Sequence, residues 1–314
     1  MNGRRTGGKR APASSLEEMH TRRERRVGKM SRILITGSSG FIGSALAKSI
    51  ARNAAYELVC LSRSPTGVPG ATNLQGDFSD PNALHMLDSF EGIDILIHLA
   101  AVTGGCTEED GLRVNVAGTH RLLRYLIDRR CRKFVLASSI AAVGMQSVDF
   151  RPLQLPMPDE HPCFDRDGYG FSKYMMEEVT RYLSRQNGSL DFINLRLASI
   201  APDERQLTPA EPGPVPSWGM GKISVMFLSD TVRCLMAAAE APFKPGVRIL
   251  NAVGSQACTA VPVPELLRSW YGSDADTIDF SHYEKPGREK DPVYDISRIR
   301  EELDFVPQQP ILGD

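Results

Sequence analysis

The chain has 314 residues, 41% of them hydrophobic and 24% charged, with a net charge of −1. That length supplies core for one large domain or two modest ones, and the composition excludes fibrous and wholly disordered classes. No apolar run approaches transmembrane length, and six scattered cysteines without a Cys-x-x-Cys pair argue against a disulfide framework or a structural zinc site.

The charge is unevenly spread. Residues 1–30 carry nine Lys/Arg against three Glu, +6, leaving −7 on the remainder. This segment is Gly-, Arg- and Ser-rich and poor in large apolar side chains, so a disordered basic tail is expected, without a nucleic-acid or membrane role. Met30, just before the first apolar run, is a candidate start of translation. The cysteine usage and the lack of a secretory signal point to the cytoplasm.

From Ser31 onward, short apolar runs alternate with helical periodicity. Residues 32–36 read as a buried strand, 41–53 as a helix, 56–62 as a strand and 71–77 as a short one. A helix capped by Asp80 is expected over 81–90, then a strand over 93–101 and a long helix over 108–130. Strand 133–139, helix 168–186 and strand 190–199 follow. This alternation predicts a Rossmann-type α/β fold, a doubly wound parallel sheet over residues 31–200. Residues 202–218 hold five Pro and read as an irregular loop or lid. Beyond lie a helix at 229–241 capped by Ser229 or Asp230, a strand at 247–253, and helices at 263–272 and 295–305. Residues 201–314 are expected to form mainly a small substrate-binding lobe, with 229–253 able to return to the sheet.

The first strand runs into "TGSSGFIG", with Gly37, Gly40 and Gly43 at spacings of three, opening a helix. Glycine permits the tight turn and the close approach of backbone N–H groups to a pyrophosphate. The helix N-terminus, here with Phe41 and Ile42, adds partial positive charge. Further on, "DGYGFSK" sets Tyr169 and Lys173 one helical turn apart, on one face.

Together these segments resemble the extended short-chain dehydrogenases/reductases, the NAD(P)-dependent epimerase/dehydratase family. "QGDFSD", "IHLAA", "VNVAGTHRLL", "FVLASSIAAVG", "YGFSK" and "DISRIREELDFVPQQPI" fall in the family's order and spacing across residues 32–310, with Asp304 where the family has Gly. The resemblance implies that Asp77, with Phe78, contacts the adenine, and that Leu99, Ala100 and Ala101 lie beside the cofactor. It implies a catalytic set of Ser139, Tyr169, Lys173 and Asn115. Lys173 would bond the nicotinamide ribose and lower the phenol's pKa, and Asn115 would help hold Lys173 and a relay water. Ser138 is the reserve for Ser139, because strand alternation turns the two to opposite sides.

The second strand ends on Ser62 and Arg63 rather than an acidic residue. A carboxylate there would repel a 2′-phosphate, whereas Arg63 would pair with it, so NADP(H) is favoured with NAD(H) as the alternative. The implied activity is hydride transfer between the nicotinamide and a hydroxyl or carbonyl carbon of a sugar-like or other small substrate. Ile140, Ala141 and Ala142 after the serine pair remove the acidic pair that dehydratases carry. A nucleotide-sugar 4-epimerase is the second reading, although Val143 stands where epimerases have Tyr, and a non-catalytic NADP(H)-binding redox sensor is the third. Candidate substrate contacts are Thr103, Ser139, Arg196, Ser199 and Trp218. No metal site is expected, and a homodimer through the two long helices is.

Overall fold

The structure is a computed structural model and describes residues 30–312. The expected basic tail, Met30 apart, lies outside the described residues. The elements in chain order are β1 (Ser31–Thr36), α1 (Phe41–Ile50), β2 (Tyr56–Ser62), β3 (Thr72–Gln75), α2 (Pro81–Leu84) and β4 (Ile95–His98). Then come α3 (Glu108–Asp110), a π-helical stretch Gly111–Gly118, α4 (Thr119–Asp128), β5 (Lys133–Ser139) and α5 (Gly168–Gln186). The rest are β6 (Asp191–Leu197), β7 (Ser199–Ala201), α6 (Gly219–Ile223), β8 (Val225–Phe227), α7 (Leu228–Glu240), β9 (Gly246–Ala252), α8 (Val263–Tyr271) and α9 (Ser297–Leu303).

Seven strands form one parallel sheet in the order β3-β2-β1-β4-β5-β6-β9. The reversal of strand order beside β1 opens the crevice in which doubly wound folds bind ligands. Side-chain alternation divides the core. Ile33 and Ile35 of β1 join Val135, Ala137, Ile193 and Leu195 on one face, while Leu34 joins Phe134, Leu136 and Phe192 on the other. A third core holds α8, the loop through Phe150 and Met157, and the segment through Tyr294. Strand β9 pairs along its length with β6, so the helix–strand unit at 228–252 belongs to the main sheet.

Several boundaries differ from the periodicity, each for a local reason. Strand β4 stops at His98, where the chain turns past the glycine loop with Leu99 N–H donating to Thr36 O. Asp80 caps α2 by accepting from Asn82 N–H, but the helix tightens into a 3₁₀ turn at His85–Ser89. The long helix of 108–130 is interrupted by the π stretch. Helix α7 begins after Phe227, and neither Ser229 nor Asp230 caps it. Asp203 instead accepts from Ser229 N–H and Oγ, and Asp230 accepts from the backbone of Gln308 and Gln309. Helix α9 ends at Leu303 and is followed by Asp304, whose φ of +50° is the left-handed conformation that a Gly adopts most readily.

Candidate active site

The glycine turn is shaped by close backbone approach. Gly37 has φ +74°, and a Cβ there would lie 2.7 Å from Ala100 N. A Cβ on Gly43 would lie 2.1 Å from Gly37 O, so only glycine lets α1 close onto the turn. Gly40 caps α1 through its backbone alone, with no side-chain cap and no acidic residue in the first turn. The leading N–H groups around Phe41, Ile42 and Gly43 and the helix dipole are therefore presented to an anion. This cradle fits a dinucleotide's pyrophosphate.

Around the cradle, Leu99 and Ala100 lie against Gly37, and Ala101 continues that half-buried strip. His98 is buried between Thr36 Oγ1 (2.6 Å) and Thr119 Oγ1 (2.9 Å), and burial lowers its pKa to about 3, which keeps it neutral. Phe78 packs edge-on against it at 4.8 Å. Asp77 sits half-buried at the rim, and its carboxylate accepts from Ser79 N–H and Oγ. Ser62 is buried and donates its hydroxyl to Ser64 O at 2.6 Å, so that donor is already committed. Arg63 is exposed beside it, with no ion pair among the described residues.

Helix α5 starts on Asp167, which accepts from the N–H groups of Tyr169 and Gly170 at 2.9 and 3.1 Å. That cap fixes the turn carrying Tyr169, with Lys173 one turn later. Ser139, the last residue of β5, accepts from Ala141 N–H at 3.1 Å and lies close enough to the Tyr169 phenol to act on its ionisation. Lys173 is buried, with Nζ donating to Ala137 O at 2.7 Å and lying 5.8 Å from the centre of the Tyr169 ring. An ammonium has three donors, so this bond leaves two for a ligand. Burial lowers its pKa to about 8, opposed by the charge of Glu177. Tyr169 itself is raised by burial, and the nearby Ser139 hydroxyl acts against the rise. The expected depression of the phenol by Lys173 is thus not the dominant effect, because the ammonium is directed at the Ala137 carbonyl.

Asn115 lies in the π stretch and is buried. Its carboxamide holds Val102 at both N–H and C=O, each at 2.9 Å, and donates to Ser172 Oγ at 2.9 Å. It therefore positions the loop after β4 against α5 and makes no hydrogen bond to Lys173. π turns often occur at functional sites because the extra residue re-aims a side chain.

The candidate substrate residues separate. Arg196 requires a correction: it is buried on β6, bonded twice to Glu177 (2.9 and 2.8 Å) and once to Asp159 O, which withdraws it from any substrate. Ser138 donates to the same Glu177 at 2.5 Å. Thr103 and Ser199 are exposed, although the Ser199 hydroxyl is given to Gly221 O. Trp218 stands over the site, its ring 6.5 Å from that of Tyr169 and its edge 3.2 Å from the Cβ position of Gly104. Its φ of +61° is unusual for a bulky side chain, and such strain gathers at functional walls. Sequence reading missed Asp167 and Glu177, though their spacings, two before Tyr169 and four after Lys173, carry both. It also missed a cavity of about 690 Å³ bounded by Trp218, Leu207, Val225 and Trp270.

The chain resembles known proteins in both sequence and fold. It is 28% identical over 177 residues to the UDP-glucose 4-epimerase of Halalkalibacterium halodurans, covering 54% of this chain and 51% of that one. It is 30% identical over 192 residues to the putative UDP-glucose 4-epimerase of Methanocaldococcus jannaschii, covering 58% and 59%. The matches thus span little more than half the length of these curated relatives. The solved UDP-glucose 4-epimerase of Bifidobacterium longum, a complex with NAD+ and UDP, shares the fold with a TM-score of 0.66 at 20% identity, over 90% of this chain and 95% of that one. Residues 33–251, from the first strand through the last strand of the sheet, match the model of one family, and the chain belongs to the NAD dependent epimerase/dehydratase family.

Proposed function

We propose that the protein is an oxidoreductase that interconverts a hydroxyl and a carbonyl group on a small substrate with a nicotinamide cofactor. The observation that carries this reading is the Tyr169 phenol beside Ser139, with the buried Lys173 ammonium 5.8 Å from the centre of its ring. When bound, the cofactor supplies hydride chemistry. Ser139 and Tyr169 together orient the substrate oxygen, and Tyr169 gives or takes its proton. Lys173 holds the ribose side of the cofactor with its remaining donors, and the turn at Gly37, Gly40 and Gly43 takes the pyrophosphate.

Arg63 and Ser64 support a preference for NADP(H) over NAD(H), since an exposed guanidinium without an ion pair among the described residues suits a 2′-phosphate. Ser62 contributes less than the sequence suggested, its hydroxyl being taken by Ser64 O. A homodimer is supported by the residues of the paired helices left outside the core. Leu122, Leu123, Leu126 and Met176 are buried, whereas Leu112 and Tyr182 are exposed. Six unpaired cysteines fit a reducing cytoplasm.

The relatives' names favour a second reading, epimerisation of a UDP-hexose at C4. It would use the same Tyr169, Ser139 and Lys173 for oxidation and re-reduction. Tyr169→Phe tests the shared step: the variant should bind NADPH like the parent and lose at least about 100-fold in turnover. An unchanged rate would remove Tyr169 from the mechanism.

A further inference from the structure

The cavity beside Trp218 is polar at its mouth and apolar at its floor. Resting on the hydride-transfer reading above, we propose that the substrate's carbonyl or carbinol carbon is carried on an apolar alicyclic or aryl frame rather than on a nucleotide sugar. The cavity, about 690 Å³, has the volume of a drug-sized ligand site. Trp218 lines the cavity and its ring lies 6.5 Å from that of Tyr169, which brings a ligand with its oxygen at Tyr169 to the edge of the cavity.

The floor is made by the buried Ala201, Val225, Cys258 and Trp270. The hydroxyl of Ser199, part of the lining, is given to Gly221 O. Sugar hydroxyls entering this floor would lose water and gain few hydrogen bonds, which is unfavourable. A flat apolar frame loses little there and stacks against the two indoles. The charged side chains along the lining, Arg205, Lys222 and Glu211, are all exposed. Two cations offset by a carboxylate at the solvent edge suit one weakly anionic tail better than a diphosphate.

The test uses the full chain and the fluorescent probe 1-anilinonaphthalene-8-sulfonate, an aryl frame with one negative charge. The probe should bind one-to-one, be displaced by 2-tetralone, and resist UDP-glucose. Leu207→Asp, on the cavity wall, should weaken probe binding about tenfold with NADPH affinity unchanged, and Leu207→Met should restore it. Displacement by UDP-glucose at lower concentration than 2-tetralone would overturn the proposal, as would wild-type probe binding by Leu207→Asp. Turnover separates the two readings. Probe displacement by 2-tetralone without NADPH oxidation on any carbonyl would support the apolar site and sink the oxidoreductase reading. Faster turnover of UDP-hexoses than of 2-tetralone would do the reverse.

Discussion

Ser138 and Ser139 are neighbours on β5, yet their hydroxyls serve opposite sides of the strand. Ser138 donates to the buried Glu177, while Ser139 accepts from Ala141 N–H and faces the Tyr169 phenol. Their substitutions should therefore separate cleanly. Ser139→Ala should lower kcat by about 10²–10³-fold, the usual loss for one donor to a developing oxyanion, with little change in stability. Ser138→Ala should leave the rate within a few-fold, by rough expectation, and lower unfolding free energy by about 1 kcal/mol. Steady-state kinetics beside urea melts of both variants decide this, and equal kinetic losses would refute the assignment.

Lys173 gives a pH signature. Its folded pKa of about 8 lies below its ordinary 10.5, so the unfolded chain binds more protons between those values. Burying the ammonium thus costs stability below pH 8, and that cost is relieved as pH rises from 8 to 10.5. Lys173→Met should be inactive but more stable than the parent near pH 7, by about 1–3 kcal/mol. The difference should shrink toward pH 10.5. Urea melts at several pH values would show it, and a pH-independent difference would contradict it.

Arg196 and Glu177 form a buried, doubly bonded pair under the site. Arg196→Ala should cost about 3–5 kcal/mol because it leaves Glu177 charged and unpaired. Arg196→Met combined with Glu177→Met should recover much of that loss. If Arg196 instead bound substrate, the single variant would raise KM with stability intact, so denaturation and kinetics together discriminate.

The proposed preference for NADP(H) rests on Arg63. Arg63→Ala should weaken NADPH binding about tenfold and leave NADH binding within twofold, by rough expectation. Fluorescence titration with both cofactors measures it. A parallel loss for both would place Arg63 on the adenine, not on a phosphate.

Much of this arrangement was legible because its physics is local. The glycine turn, the Tyr169–Lys173 spacing and the strand of Ser139 follow from periodicity and backbone sterics, and β2, β5 and α5 have the limits that periodicity gives. The fate of Arg196 was not legible, because a strand position does not reveal which helix carboxylate it will face. Asn115 was singled out, but its bonds to Val102 and Ser172 arise from a π stretch that helical propensity does not encode. The cavity is built from residues 199–225 with Cys258 and Trp270, and such long-range assembly leaves no periodic trace.

The π stretch also makes the helix sensitive to chain length. A helix advances about 100° per residue, and the π segment absorbs residues that would otherwise rotate everything upstream of it. Removing a single residue between Gly111 and Gly118 would swing α3 and its loop around the axis, and Asn115 could not keep both Val102 and Ser172. Point substitutions act there one contact at a time, whereas a one-residue deletion would put α5 and the loop after β4 out of phase.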